Sequence, residues 1–272
     1  MIALKGVYKT ARKDGSIYYR TSITYKNKHI SLGSFEEVNH ASQAYLDAYD
    51  ILFNNKYKYD NFPKSLALSF EKWIVLLNYR DNGYYIKNPI YMHKFYFSYF
   101  IKMGLELEFD VDDLFYYSKH KIFKREGYFF VNDYGIQTNI LSRYGIKNFA
   151  VEGKDFYFKD NNPHNMRYHN IVIVNKYYGV EKIETDSLNR FVTKIHILGN
   201  YTVGKYASEI KAAVAYNKIA DYVQEHNLSA KNFPRNYIED EILYAELYTK
   251  IKIPSKILQL KNRQTHLTGN IV

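Results

Sequence analysis

The side chains best equipped for chemistry lie in one stretch, Asp155 to Ile171, where Asp160, His164, Arg167, His169 and Asn170 crowd into a short, proline-punctuated run. Carboxylate, imidazole and amide groups can hold a divalent cation and take a proton from water, the requirements of metal-assisted hydrolysis. Asp160, His164, His169 and Asn170 are the candidates for such work. A second acidic pair, Asp112-Asp113, could hold a hard cation. With Leu114-Phe115 following, it reads instead as the start of a helix, where carboxylates suit the positive end. His93 and His120 have no partner at ligand spacing. The chain has no Gly-x-Ser-x-Gly, no phosphate-cradling glycine loop and no cysteine, which excludes thiolate zinc sites and disulfides.

A different chemistry, recognition, is spelled by polar residues at every second position of two short runs. The first is Arg20, Ser22, Thr24; the second is Arg190, Val192, Lys194, His196. In a strand such residues point to one side. Arginine suits guanine, while serine, threonine and histidine suit base edges and phosphates. Lys9 and Lys182 accompany the runs as further contact candidates, and Lys28 and Lys205 as phosphate contacts. The competing reading is an ordinary solvated sheet face.

The elements that must position these side chains come from a cassette of about sixty residues present twice. Gly6-Val7-Tyr8-Lys9, Tyr19-Arg20-Thr21-Ser22-Ile23, Leu32-Gly33-Ser34-Phe35, Ala41-Ser42-Gln43-Ala44-Tyr45 and Asn61-Phe62-Pro63 make up the first copy. Gly179-Val180-Glu181-Lys182, Phe191-Val192-Thr193-Lys194-Ile195, Val203-Gly204-Lys205-Tyr206, Ala212-Ala213-Val214-Ala215-Tyr216 and Asn232-Phe233-Pro234 make up the second. Gly33 and Gly204, Tyr45 and Tyr216, and Asn61 and Asn232 share one offset, 171. Turn signals at Lys13-Asp14-Gly15-Ser16 and Lys26-Asn27-Lys28 predict three strands joined by two hairpins. Ala41, Ala44, Tyr45, Ala48, Tyr49 and Leu52 then recur at helical spacing, with Ser34 as the expected cap. The helix covers one sheet face and leaves the other bare. A narrow sheet fits the major groove of a duplex.

Gly-Val, an aromatic strand ending in Ile, Leu-Gly-x-Phe, an Ala-rich helix with Tyr, and a closing Asn-Phe-Pro resemble the AP2/ERF DNA-binding domain. That resemblance implies three strands packed on one helix, with the sheet docked in the major groove. This sequence departs from the family in lacking its sheet tryptophans and in placing Glu181 where a basic residue is usual. Val203-Gly204-Lys205-Tyr206 is also a softened Leu-Gly-x-Phe. These departures imply that the second module binds more weakly or reads another sequence.

The run through Asp160, Asn162, Pro163, Arg167 and Asn170 resembles the HNH endonuclease motif. That motif has a strand ending Asp-His, a loop Asp-Gly-Asn-Pro and a helix carrying Asn-Arg-x2-Asn-Leu. Phage homing endonucleases often place it just before an AP2-type module. Carried across, the catalytic histidine falls on Phe158, the preceding metal-binding aspartate on Tyr157 and the middle asparagine on Met166; only Asn170 survives. Loss of a general base alone forfeits roughly two to four orders of magnitude in rate.

The expected fold is therefore α+β: two three-stranded-sheet-plus-helix modules, 1–63 and 176–236, flank a degenerate ββα HNH-like middle domain, 64–175, with a helical tail, 237–272. Within the middle domain, 64–80 and 91–103 read as helices, and in the tail 238–251 does. A net charge of +10 over 272 residues favours an anionic partner. It is spread as +3 over 1–63, +3 over 64–170, +3 over 171–235 and +1 over the rest, so charge singles out no patch. The thirty tyrosines fit an AT-rich coding bias better than stacking platforms for single strands. No apolar run approaches the roughly 20 residues that span a bilayer, and Met1 to Lys5 lacks a signal-peptide layout, so a cytoplasmic location is expected.

The sequence thus points to a double-stranded DNA-binding protein derived from a homing endonuclease, acting by occupancy as a transcriptional repressor and needing no cofactor. Arg167 and Lys159 would clamp backbone in the vestigial motif. The alternative is an active endonuclease requiring Mg²⁺, with an altered catalytic set. A homodimer is left undecided.

Overall fold

In a computed structural model of the chain, residues 5–54, 57–63, 65–188 and 190–268 are described, the side chains of 262–268 excepted. The lead-in residues Met1 to Leu4 and the boundary residue Lys64 lie outside them. The protein is mixed α+β, built from small antiparallel sheets and, among the described residues, six α-helices. It divides into two compact units, Met1–Ile140 with Phe158–Ile171, and Leu141–Tyr157 with Val172–Val272.

In the first unit, β1 (Val7–Ala11), β2 (Ile17–Tyr25) and β3 (Lys28–Phe35) form a sheet in chain order. The first turn is locked by Asp14, whose carboxylate accepts from the Ser16 N–H at 2.9 Å and hydroxyl at 2.7 Å. In the second, Lys26 and Asn27 take positive φ in succession, the mirror-image turn that matches strand twist. Helix α1 (Val38–Phe53) lays Ala41, Ala44, Ala48, Ile51 and Leu52 into the core. Ser34 does not cap it. The strand runs on through Phe35, and the helix starts after Glu37 without a side-chain cap.

Helix α2 (Phe70–Asn82) opens on Ser69, which accepts from the Lys72 N–H at 3.2 Å, and ends on Gly83 at φ 78°. The expected start near 64 is too early because the Asp47 carboxylate on α1 takes the Ala67 N–H at 2.6 Å, tying the approach down outside the helix. Trp73, Ile74, Leu76 and Leu77 are fully buried in a core shared with Ile23, Ile30, Ala44, Ala48 and Ile51. Arg80 donates to the Ile51 and Tyr57 carbonyls at 3.0 and 2.8 Å, closing the end of α1. The first cassette and the segment after it are thus one folded body.

Residues 91–103 are not a helix. They contribute to β4 (Ile90–Met92) and β5 (Tyr96–Lys102), which pair with β6 (Leu105–Asp110). Gly104 turns the chain at φ 76°, and Leu105, Leu107 and Phe109 alternate with Glu106, Glu108 and Asp110, giving the aromatic run a period-two partner. A 3₁₀ turn at Val111–Asp113 leads into α3 (Leu114–Lys119), so Asp112-Asp113 does open a helix. A further sheet follows from β7 (Ile122–Arg125), β8 (Tyr128–Asp133) and β9 (Ile136–Asn139). The hairpin of β10 (Phe156–Phe158) and β11 (Ile171–Ile173) holds the polar loop 159–170. Where the motif resemblance expects a helix carrying Met166, Arg167 and Asn170, the chain makes only the 3₁₀ turn Tyr168–Asn170 and enters β11 directly. The ββα expectation fails there because the loop's polar groups are bonded to one another and to β6, as described below.

In the second unit, β12 (Val180–Lys182), β13 (Phe191–His196) and β14 (Asn200–Tyr206) again form a sheet in chain order, followed by α4 (Glu209–Glu225) capped by Ser208. The tail gives α5 (Glu241–Lys250) and α6 (Ser255–Thr268). Ile238, expected within the first tail helix, precedes it and packs in the module's core with Ile251 and Ile257. The tail covers the second module. No helix among the described residues is long and apolar enough to cross a membrane.

The two sheet-and-helix copies share their internal devices atom for atom. Gly6 and Gly179 have positive φ, and their carbonyls accept from the Ser22 and Lys194 N–H groups at 2.9 and 2.7 Å. A Cβ at either would run into Tyr45 or Tyr216, the equivalent helix tyrosines. Thr21 and Thr193 donate their hydroxyls to the Ala41 and Ala212 carbonyls at 3.1 and 2.8 Å. The strand register slips at the same step in both, Thr21/Ser22 and Thr193/Lys194.

Candidate nucleic-acid interface

Cross-strand pairing decides which side chains share the uncovered face of the first sheet. Tyr8 faces Arg20, Ser22 faces Ser31 and Thr24 faces His29. Thr21, Ile23 and Ile30 point the other way, into the core under α1. Arg20 is exposed and has no hydrogen bond or ion pair among the described residues. Ser22 shares its face but is only 8% exposed, so Arg20, Tyr8, His29 and Ser31 present the reachable chemistry there. With Thr10 and Ser22 they line a shallow depression of 320 Å³. The Thr24 hydroxyl lies 3.5 Å from His29 Nδ1.

Two lysines expected among the contacts lie elsewhere. Lys9 pairs with Tyr19 and Lys182 with Phe191, which alternation puts on the helix side of each sheet, away from Arg20 and Lys194. Lys28 sits where β3 begins, its ammonium 5.3 Å from the Tyr85 ring centroid. Tyr8, His29 and Ser31 were missed in the sequence because their strand register depends on hairpin turns whose exact length the sequence does not fix.

The second sheet has the same layout and a different charge pattern. Glu181, Val192 and Lys205 share one row, Lys194 and Thr202 the next, His196 and Asn200 the last. Arg190 is exposed just before β13, and its carbonyl accepts from the Ile183 N–H at 2.8 Å. His196 Nδ1 is 2.8 Å from Asn200 Oδ1. Val192 is 5% exposed and offers little. Glu181, in the place of Tyr8, accepts from Lys194 Nζ at 2.6 Å and from Lys154 Nζ at 2.7 Å. Those bonds from Lys154 and Lys194 hold its carboxyl below the usual carboxylate range.

The loop between β10 and β11 is tied together by its own polar groups. The Asp160 carboxylate accepts from the Asn162 N–H at 2.8 Å and from Asn165 Nδ2 at 2.7 Å, which keeps it ionised below the ordinary range. Asn170, 2% exposed, accepts from the Asp160 N–H at 3.0 Å and donates to the Asn165 carbonyl at 2.8 Å. The loop adds to the edge of β6: the Glu108 N–H donates to the His164 carbonyl at 2.9 Å, and the Met166 N–H donates to the Glu108 carbonyl at 2.8 Å. Asp110 accepts from the Tyr168 N–H at 2.7 Å and lies 3.9 Å from Arg167, whose guanidinium covers the Tyr96 ring. Lys159 stays exposed.

The positions onto which the resemblance carries the catalytic residues hold aromatic and apolar side chains. Phe158 and Met166 are 4% and 3% exposed, while Tyr157 faces solvent. Of the histidine candidates, His164 meets Phe129 edge-on, and His169 Nε2 sits 3.5 Å from the Arg167 guanidinium, where a metal cation would be repelled. His93 instead bonds Ser98 Oγ at 3.0 Å, and His120 bonds the Tyr116 carbonyl at 2.9 Å. Asp160 and Asn170 serve as staples of the loop. Comparison of the chain with protein-family models, with curated proteins and with solved structures found no match.

Proposed function

We propose that this protein binds double-stranded DNA sequence-specifically through the uncovered faces of its two sheet-and-helix modules. In this reading the modules are AP2/ERF-like, the loop between β10 and β11 is the remnant of an HNH nuclease, and the protein acts by occupancy as a transcriptional repressor of phage or mobile-element type. The observation that carries the reading is the first sheet: α1 is buried on its opposite side, and Arg20 stands exposed and unpaired on a three-stranded surface narrow enough for a major groove. A solvated lysine on such a surface would be unremarkable. An arginine ringed by Tyr8, His29 and Ser31 has the donors that base edges and phosphates require.

Tethering two modules makes the second docking intramolecular, so modest affinities multiply. Selection of bound sites from random duplex DNA followed by footprinting tests the reading, with two protected patches expected. Arg20→Ala and Arg190→Ala are each expected to weaken binding to the selected site by about 5- to 150-fold, the value of one good arginine–base pair at roughly 1–3 kcal/mol. Unchanged retardation of the selected site by the double variant would refute it.

A further inference from the structure

The second sheet carries a charge that the first lacks, at an equivalent place. Tyr8 follows Gly6-Val7, and Glu181 follows Gly179-Val180. On the first sheet that position lies opposite Arg20 and leaves it free. On the second, one carboxylate engages two ammonium groups: Lys194 from the neighbouring strand β13, and Lys154 from outside the cassette. Lys194 is one of the basic residues on this face that could reach a phosphate. Lys154 and Lys194 keep about half of their side-chain surface exposed, so solvent and DNA can reach the cluster.

Non-specific affinity for duplex DNA comes almost entirely from lysine and arginine neutralising phosphates. A carboxylate that holds two of those lysines withdraws them from that work and adds a charge that repels the backbone. The carboxylate also suits one partner, a base-edge amino group, as on cytosine. We infer that Glu181 is a selectivity element of the second sheet: it suppresses docking on arbitrary duplex and admits sites where a cytosine or adenine amino group takes over from the lysines as its donor. This rests on the duplex-binding reading above. It explains why a recognition module would keep a negative charge on its reading face, since discrimination often needs a repulsive element as well as an attractive one.

The test compares wild-type protein with Glu181→Gln and Lys154→Gln, each titrated against a random-sequence 30-bp duplex and against the selected site over a range of salt concentrations. Glu181→Gln frees up to two phosphate contacts at a slope of about 0.9 each, so log K against log salt is expected to steepen by up to about 1.8. Affinity for the random duplex is expected to rise about tenfold or more at 0.1 M salt, with a smaller change at the selected site, so the specificity ratio falls. Lys154→Gln leaves the carboxylate less neutralised, and random-duplex affinity is expected to drop. Because the two variants move in opposite directions, misfolding cannot mimic the pattern. If wild type prefers its selected site while Glu181→Gln leaves random-duplex affinity and salt slope unchanged, the role given to Glu181 falls and the duplex reading stands. If no variant, wild type included, retains any duplex, both fall together.

Discussion

The duplicated glycines make the sharpest test of the fold, because the two positions predict the same outcome and a third glycine supplies the control. Gly6 has φ 73°, and a Cβ there would lie 2.5 Å from the Ser22 carbonyl oxygen and overlap the Tyr45 ring. Gly179 has φ 66°, with a Cβ 2.5 Å from Tyr216 Cε2. Gly15 has φ 82° and nothing within 4 Å of a Cβ. All three substitutions to alanine incur the left-handed backbone penalty of about 1–2 kcal/mol. Only the first two add an overpacking cost of about 1–3 kcal/mol, because ring and carbonyl must both shift. Gly6→Ala and Gly179→Ala should therefore each destabilise by about 2–5 kcal/mol, against about 1–2 kcal/mol for Gly15→Ala. Trp73 is the sole tryptophan and lies fully buried in the core with α1, so its emission follows the unit containing Gly6. In urea, with a slope of about 2 kcal/mol per molar, Gly6→Ala should move the Trp73 midpoint down by about 1–2.5 M. Far-UV circular dichroism reads the loss for Gly179→Ala. A Gly6→Ala midpoint no lower than that of Gly15→Ala would show that the Tyr45 contact does not constrain the module.

Two further outcomes are expected. Tyr157→Asp with Phe158→His, which puts aspartate and histidine where the proposed HNH remnant would need them, should not nick supercoiled plasmid bearing the selected site in Mg²⁺ or Mn²⁺. The new imidazole would enter the place of a 4% exposed ring, Met166 still stands where the motif's middle asparagine would be, and Asp160 and Asn170 remain committed to the loop; appearance of nicked circles would restore the nuclease alternative. Asp155 pairs with Lys147 at 2.9 Å with both side chains nearly covered; burial opposes its ionisation, but the Val151 N–H and Lys147 outweigh that and hold its carboxyl below the usual range. A depressed carboxyl stabilises above its unfolded-state value and loses that stabilisation as pH falls through the folded one. Asp155→Asn should accordingly cost about 3 kcal/mol at pH 7. The gap from wild type should narrow below about pH 4. Equal gaps at pH 7 and pH 3 would refute the ion pair's role.

What could be read from the sequence was local. The turn signals at Asp14-Gly15 and Lys26-Asn27, the alternation of strands and the small helix residues placed both modules, and the equal offsets of Gly33, Tyr45 and Asn61 from their partners identified the duplication. The segment 91–103 misled because a continuous aromatic run has no period of its own; its strand character depends on Gly104 and on the alternation of β6, which lies outside the run. Ser34 looked like a cap because the residues alone do not say that β3 continues through Phe35. The features that set the site's character are non-local. Glu181 meets Lys154 across 27 positions, and Lys9 falls on the helix side only once it is paired with Tyr19. No spacing rule within a cassette encodes either contact.

Each module helix has a side its own sheet cannot cover, and the two copies solve that with unrelated lids. In the first, Asp47 and the Ile51 carbonyl are held by the chain leading into α2 and by Arg80. In the second, Asn217 exchanges two hydrogen bonds with Asn236, and Lys218 reaches the Tyr248 carbonyl of α5. What was duplicated is therefore smaller than the body each copy packs into. A gene fragment ending at Asn61-Phe62-Pro63 encodes the first module without its roof, and moving this module into another protein means carrying residues up to Asn82 along with it.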